Sequence, residues 1–133
     1  MIKNNIAMTI AGSDSGAGAG IQADLKTFAS LGVYGTCVIT VVTAQNTLEV
    51  KDVEILSNEI ITNQFETLIN DIYPDSVKIG MLGNPEVVVL ISKLLSQINN
   101  VPIVLDPVMI AKSGDQLISD DAISKLKNNL IPL

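Results

Sequence analysis

Apolar positions along the chain follow two alternating rhythms. Ile6 to Ala11 is a short apolar run closed by Gly12, as expected of a buried strand. Ile21, Leu25, Phe28 and Leu31 then recur at helical spacing, and Gly32 stands where a helix-ending glycine belongs. Val33 to Val42 is rich in β-branched residues and predicts a second, fully buried strand. It runs into the polar segment Thr43–Thr47, after which Val53 to Leu56 predicts a short extended piece. Ser57 is placed to cap a helix with Glu59 in its first turn and Ile61, Phe65, Leu68 and Ile72 as its apolar stripe. Ser76 to Ile79 predicts the third main strand, stopping at Gly80. Asn84-Pro85-Glu86 supplies a capping side chain, a first-turn proline and an early acid for a deeply packed helix reaching about Ile98. Val101 to Leu105 predicts the fourth main strand, ending at Asp106-Pro107, and Ser119 caps a last helix with Ile123, Leu126 and Leu130 on one face.

Strands alternating with amphipathic helices predict βαβ units with right-handed crossovers. The expected architecture is α/β, three layers with a mostly parallel central sheet between helices. Ligands of such folds sit beyond the carboxyl ends of the strands. Those ends here are Gly12–Gly20, Thr43–Thr47, Gly80–Gly83 and Asp106–Asp115, and all four are rich in Gly, small polar residues and acids.

The first of these ends carries the densest chemistry. Gly12, Gly16, Gly18 and Gly20 surround Ser13, Asp14 and Ser15, with Gln22 and Asp24 just inside the following helix. A strand, glycine loop and helix in that order predict backbone N–H groups aimed at a bound polar or anionic group. The loop is not a P-loop, lacking a Gly-Lys-Ser/Thr, and its GxGxG differs from the GxGxxG of dinucleotide sites.

Composition narrows the function further. Apolar residues make up 47% and charged residues 17% of 133 residues, enough for one domain with a real core, and aromatics at 3% make that core aliphatic. Eight Lys plus Arg against fourteen Asp plus Glu leave a net charge of −6, which disfavours nucleic acid and anionic membranes as partners. There is no histidine, so acid–base chemistry falls to other groups and histidine metal sites are excluded. Cys37 is the only cysteine, so no disulfide forms within the chain. The N-terminus is too polar for a secretory signal and no apolar run is long enough for a membrane span. A soluble, cytoplasmic protein is expected.

The segments AGSDSGAGAGIQADLKTF, VTAQNT, KIGML, VLDPVM and AKSGD, in this order, closely resemble the hydroxymethylpyrimidine/phosphomethylpyrimidine kinases of thiamine biosynthesis, members of the ribokinase-like superfamily. The resemblance runs from about Ile6 to Leu133; Ala17 stands where the family often has glycine. It implies ATP- and Mg²⁺-dependent phosphorylation of 4-amino-5-hydroxymethyl-2-methylpyrimidine and of its monophosphate. It also implies that residues 1–133 are the N-terminal, substrate-binding portion of one ribokinase-like domain, incomplete at its C-terminal side. The family's Gly-Thr-Gly-Cys loop, with its proposed catalytic cysteine, is absent, so no catalytic residue is assigned and little or no kinase activity is expected of these residues alone.

By the same resemblance, Gln45 reads the aminopyrimidine edge, for which a primary amide offers a donor and an acceptor side by side. Asp24 contacts the substrate's polar edge, Gly12 and Ala19 line the site by backbone approach, and Met81 and Val108 sandwich the ring. Asp106 lies near the phosphates and Mg²⁺, and Lys112 offsets phosphate charge. The alternatives are a pyridoxal kinase of the same superfamily, disfavoured by Gln45-Asn46, and a non-catalytic pyrimidine-binding fragment. A homodimer is expected, because a parallel sheet cut halfway leaves an uncovered edge strand.

Overall fold

The computed structural model describes residues 5–109 and 118–133. Five strands form one sheet in the order β3-β2-β1-β4-β5: β1 Ile6–Asp14, β2 Tyr34–Gln45, β3 Val50–Ile55, β4 Ser76–Ile79 and β5 Ile103–Leu105. β1 pairs in parallel with β2 and β4, β4 with β5, and only β3 runs antiparallel, against β2. The helices are α1 Gly20–Ser30, α2 Asn58–Asp71, α3 Pro85–Leu95 and α4 Asp120–Lys125, and α4 continues as a π-helical stretch, Leu126–Leu130.

Alternation along β1 sorts the two faces of the sheet. Met8 and Ile10 are fully buried among Ile61 and Phe65 of α2 and Val87, Val88 and Ile91 of α3, the aliphatic core. Thr9, one position out of phase, is also fully buried but bonds to Asp24 of α1 on the opposite face. Val77 and Ile79 of β4 join the core, and Lys78 between them sits beside Thr9 in the register and reaches the same Asp24. α1 thus lies on one face and α2, α3 and α4 on the other. Fully burying each core Ile, Val or Phe contributes about 1.5–3 kcal/mol of transfer free energy, which makes this second face the main source of stability.

Local chemistry sets the ends. Ser57, Asn84 and Ser119 each accept a backbone N–H from their own first turns, as the sequence predicts. Gly32, at φ +70, donates to Ala29, and Val33 donates to Phe28, a Schellman closure that needs the left-handed residue. Leu31, expected in the apolar stripe of α1, instead caps the helix and is 72% exposed, because the stripe ends with the last helical turn. β1 runs two residues past Gly12, to Asp14, by way of a register shift between Ala11 and Ser13. β2 is not buried on both sides: Tyr34, Val42 and Ala44 are exposed, since α1 and β1 cover only part of it. α3 stops at Leu95, short of Ile98, and β5 starts at Ile103 rather than Val101.

Past the end of β3, where Ile55 pairs with Val41, β2 would present a bare edge. There the side chain of Gln64 accepts from Ile39 N and donates to Ile39 O, at 2.9 and 3.0 Å. One amide side chain thereby takes the place of a neighbouring strand.

Candidate functional site

The four strand ends predicted to face a ligand converge on one cavity of about 360 Å³. Its walls include Gly12, Ala19 and Asp24 from the first βα unit, Gln45 from β2, Met81 after β4, and Asp106 and Val108 after β5. All seven described candidates from the sequence are brought together; Lys112 lies outside the described residues. Ser13 of the glycine loop and Thr43 of the polar strand end also line it, as do Val50 and Lys78, which the sequence reasoning did not single out.

The glycine loop is built differently from expectation. Its amides do not wait for an external anion. Gly16 N donates to Asp14 Oδ1 at 2.7 Å, while Gly18 N and Ala19 N donate to Asp14 Oδ2 at 3.0 and 2.9 Å. The chain's own carboxylate fills the nest that a phosphate would otherwise take. Ionised acceptors make the stronger hydrogen bonds, so Asp14, only 6% exposed, is the pin that holds the loop.

Gln22 braces the same turn from inside α1. Its Oε1 accepts from Asp14 N at 2.8 Å and its Nε2 donates to Ser13 Oγ at 2.7 Å. Ser15 ties the loop to β2 by a reciprocal pair, donating to Gln45 O at 2.6 Å and accepting from Gln45 N at 2.7 Å. The backbone of Gln45 is thus fixed from both sides. Its side chain is less committed: Thr43 Oγ1 stands 3.2 Å from Gln45 Oε1 and 3.0 Å from Ser13 O, and one hydroxyl proton serves only one of them. Gln45 Nε2 has no protein partner among the described residues. The cavity therefore receives an amide donor and, beside it, an amide oxygen.

Asp24 follows the first turn of α1. Its Oδ2 accepts from Thr9 Oγ1 at 2.6 Å and from Lys78 Nζ at 3.0 Å. Met81 is half-buried, with its carbonyl fixed by Thr40 Oγ1 at 2.7 Å, and with Val108 it supplies apolar wall. Asp106 is exposed at the rim, its backbone N–H extending the β4 ladder to Ile79 O. Apolar walls with a few convergent polar groups suit a small flat heterocycle.

The sequence profile of the phosphomethylpyrimidine kinase family matches residues 14–133. The chain belongs to the phosphomethylpyrimidine kinase family. It is 52% identical over 126 residues to the hydroxymethylpyrimidine/phosphomethylpyrimidine kinase of Haemophilus influenzae, covering 95% of this chain and 47% of that protein. The crystal structure of a phosphomethylpyrimidine kinase from Clostridium difficile superposes with a TM-score of 0.91 at 50% identity, over 97% of this chain and 56% of that one. Pyridoxal kinase from Staphylococcus aureus, solved in complex with AMP-PCP and pyridoxal, superposes with a TM-score of 0.82 at 34% identity, over 97% and 45%. The chain spans about half the length of the curated relatives it matches. The ribokinase-like fold expected from the resemblance is the fold of these neighbours.

Within this family member, Lys78 was missed for a physical reason. A lysine between two core residues of a short strand reads as an outward, solvated position. The one available signal was the period-2 phase, which puts residue 78 opposite Val77 and Ile79 and on the side of α1.

Proposed function

We propose that the whole protein phosphorylates 4-amino-5-hydroxymethyl-2-methylpyrimidine and its monophosphate at the expense of ATP, and that residues 1–133 hold the pyrimidine. The single observation that carries this reading is the Gln45 side chain on the cavity wall, its Nε2 unspent, with apolar Met81 and Val108 in the same wall. A ring nitrogen accepts from Nε2 while the exocyclic amine donates to Oε1. Asp24 Oδ1 takes a further donor on the ligand, and Gly12 and Ala19 let the backbone approach the ring.

ATP use is supported by the kinase relatives, one of them solved with AMP-PCP. Mg²⁺ keeps several waters and takes one or two carboxylates alongside phosphate oxygens. No group of three or more acidic or cysteine ligands is gathered among the described residues, and a single rim carboxylate, Asp106, fits an ion held mainly by water and phosphate. When bound, Mg²⁺ would supply charge neutralisation at the phosphates, and the residues of this chain would position the acceptor. Lys112, outside the described residues, would offset phosphate charge. No described helix is long and apolar enough to cross a membrane.

Pyridoxal is the weaker substrate reading. The superposed pyridoxal kinase is 34% identical and the Haemophilus pyrimidine kinase 52%, and pyridoxal has no amine–ring-nitrogen edge for Gln45. Titration calorimetry with both compounds tests this. The pyrimidine is expected to bind more tightly, and Gln45→Leu to weaken it tenfold to a hundredfold, the worth of one or two unmade hydrogen bonds. Gln22→Leu, by contrast, should lower the melting temperature by unbracing the loop. Equal affinity for both compounds, or an unchanged affinity in Gln45→Leu, removes the pyrimidine reading.

A further inference from the structure

The structure assigns Lys78 as a positioning residue that acts on the substrate through Asp24, an inference that rests on the pyrimidine reading above. Two donors converge on one oxygen of Asp24: Thr9 Oγ1 at 2.6 Å and Lys78 Nζ at 3.0 Å, both on Oδ2. Thr9 and Lys78 are neighbours in the β1–β4 register, so one rigid pair of parallel strands fixes both donors. The carboxylate is therefore clamped in one orientation with Oδ1 left over.

That Oδ1 has no protein partner among the described residues. It is not sealed off either. Thr36 Oγ1 is the only buried side-chain oxygen or nitrogen without a partner among them, and Asp24 lines the cavity. Oδ1 is thus an acceptor open to the cavity, aimed by the two groups that hold Oδ2. Gly80 keeps room for the arrangement, since a Cβ there would lie 3.0 Å from Lys78 Nζ. An orphaned acceptor in the same cavity as the Gln45 amide selects ligands that present a donor, an exocyclic amine or a hydroxyl, and rejects those that present an acceptor there.

The test is a double-mutant cycle in the full chain, with 4-amino-5-hydroxymethyl-2-methylpyrimidine as the probe. Lys78→Met is expected to weaken binding about tenfold, because the freed carboxylate loses its aim. In an Asp24→Asn background the same change should cost less than about threefold, since there is no carboxylate left to orient. Equal losses in both backgrounds would mean that Lys78 acts on its own, and would overturn the inference. A ligand-free readout separates this from the substrate reading: the Asp24 carboxyl ¹³C resonance should move in Lys78→Met and stay in place in Lys26→Met. An Asp24 resonance indifferent to Lys78 would overturn the inference whatever the ligand proves to be. A wild-type chain that ignores the pyrimidine while that resonance responds would remove the substrate reading and uphold the clamp.

Discussion

Gly20 lies so close to the carbonyl oxygen of Gly12 that any Cβ at position 20 would overlap it. The first residue of α1 is thereby locked against the C-terminal end of β1, and its φ of +59 is one that L side chains resist. Gly20→Ala should destabilise the fold by at least about 2 kcal/mol through strain and displacement of the turn. Gly18 is the control. A Cβ there would meet only Asp14 Oδ2, at 3.8 Å, so Gly18→Ala should stay within about 0.5 kcal/mol of wild type. Urea melts of the two variants decide it, and equal stabilities would mean that the helix start is not anchored by that contact.

The carboxylate of Asp14 closes the glycine loop to other anions. Titration with inorganic phosphate should therefore leave the amide resonances of Gly16, Gly18 and Ala19 where they are. Asp14→Ala should cost about 2–3 kcal/mol, the scale of one or two hydrogen bonds to a charged group, and phosphate should then shift those amides. Shifts of the same size in the unsubstituted protein would show that the nest is open and Asp14 only loosely held.

Sequence reasoning reached the cavity because the carboxyl ends of parallel strands are forced to one side of the sheet. Once strands ending at Ala11, Val42, Ile79 and Leu105 were expected, the segments just beyond them, with Gln45, Met81 and Val108, had to meet. What it did not reach was which polar groups are spent on each other. Asp14 and three nearby amides form a local motif that side-chain capping chemistry could have suggested; the bias towards a bound anion hid it. Lys78 and Asp24 are 54 residues apart, and no local pattern joins them. The boundaries at Asp14 and Leu95 and the exposure of Leu31 depend on a bulge and on where neighbours stop, which are tertiary facts.

Cys37 is half-buried beside Ile60, Gln64 and Leu68, and burial raises its pKa from 9.0. Well below that value the thiol is protonated in both folded and unfolded chains, so stability is unaffected. As pH rises through 9.0 the unfolded chain loses its proton first, and stability declines until the folded thiol ionises too. Urea melts at neutral and alkaline pH should show a loss in the wild type that is smaller in Cys37→Ala. Alkylation of native Cys37 at neutral pH should be slower than in urea, following its smaller thiolate fraction. A native thiol as reactive as the unfolded one would mean that the site is open to water.

The far edge of the sheet sets the behaviour of the chain in solution. β5 is three residues long, bonded only to β4 within the described sheet, and Val104 at its centre is 63% exposed on the side where α1 covers β1 and β2 but not β4 and β5. At the opposite edge β3 is exposed along nearly its whole length, with Val53 and Ile55 open to solvent. Open edges with apolar side chains recruit other strands. The 133-residue chain should therefore self-associate as its concentration rises, and Val104→Lys should shift it towards monomer, because a charge on an edge strand opposes pairing. Light scattering after size exclusion measures this directly; a clean monomer at all concentrations, with a sharp melt, would show that the edge is protected by something other than a second copy.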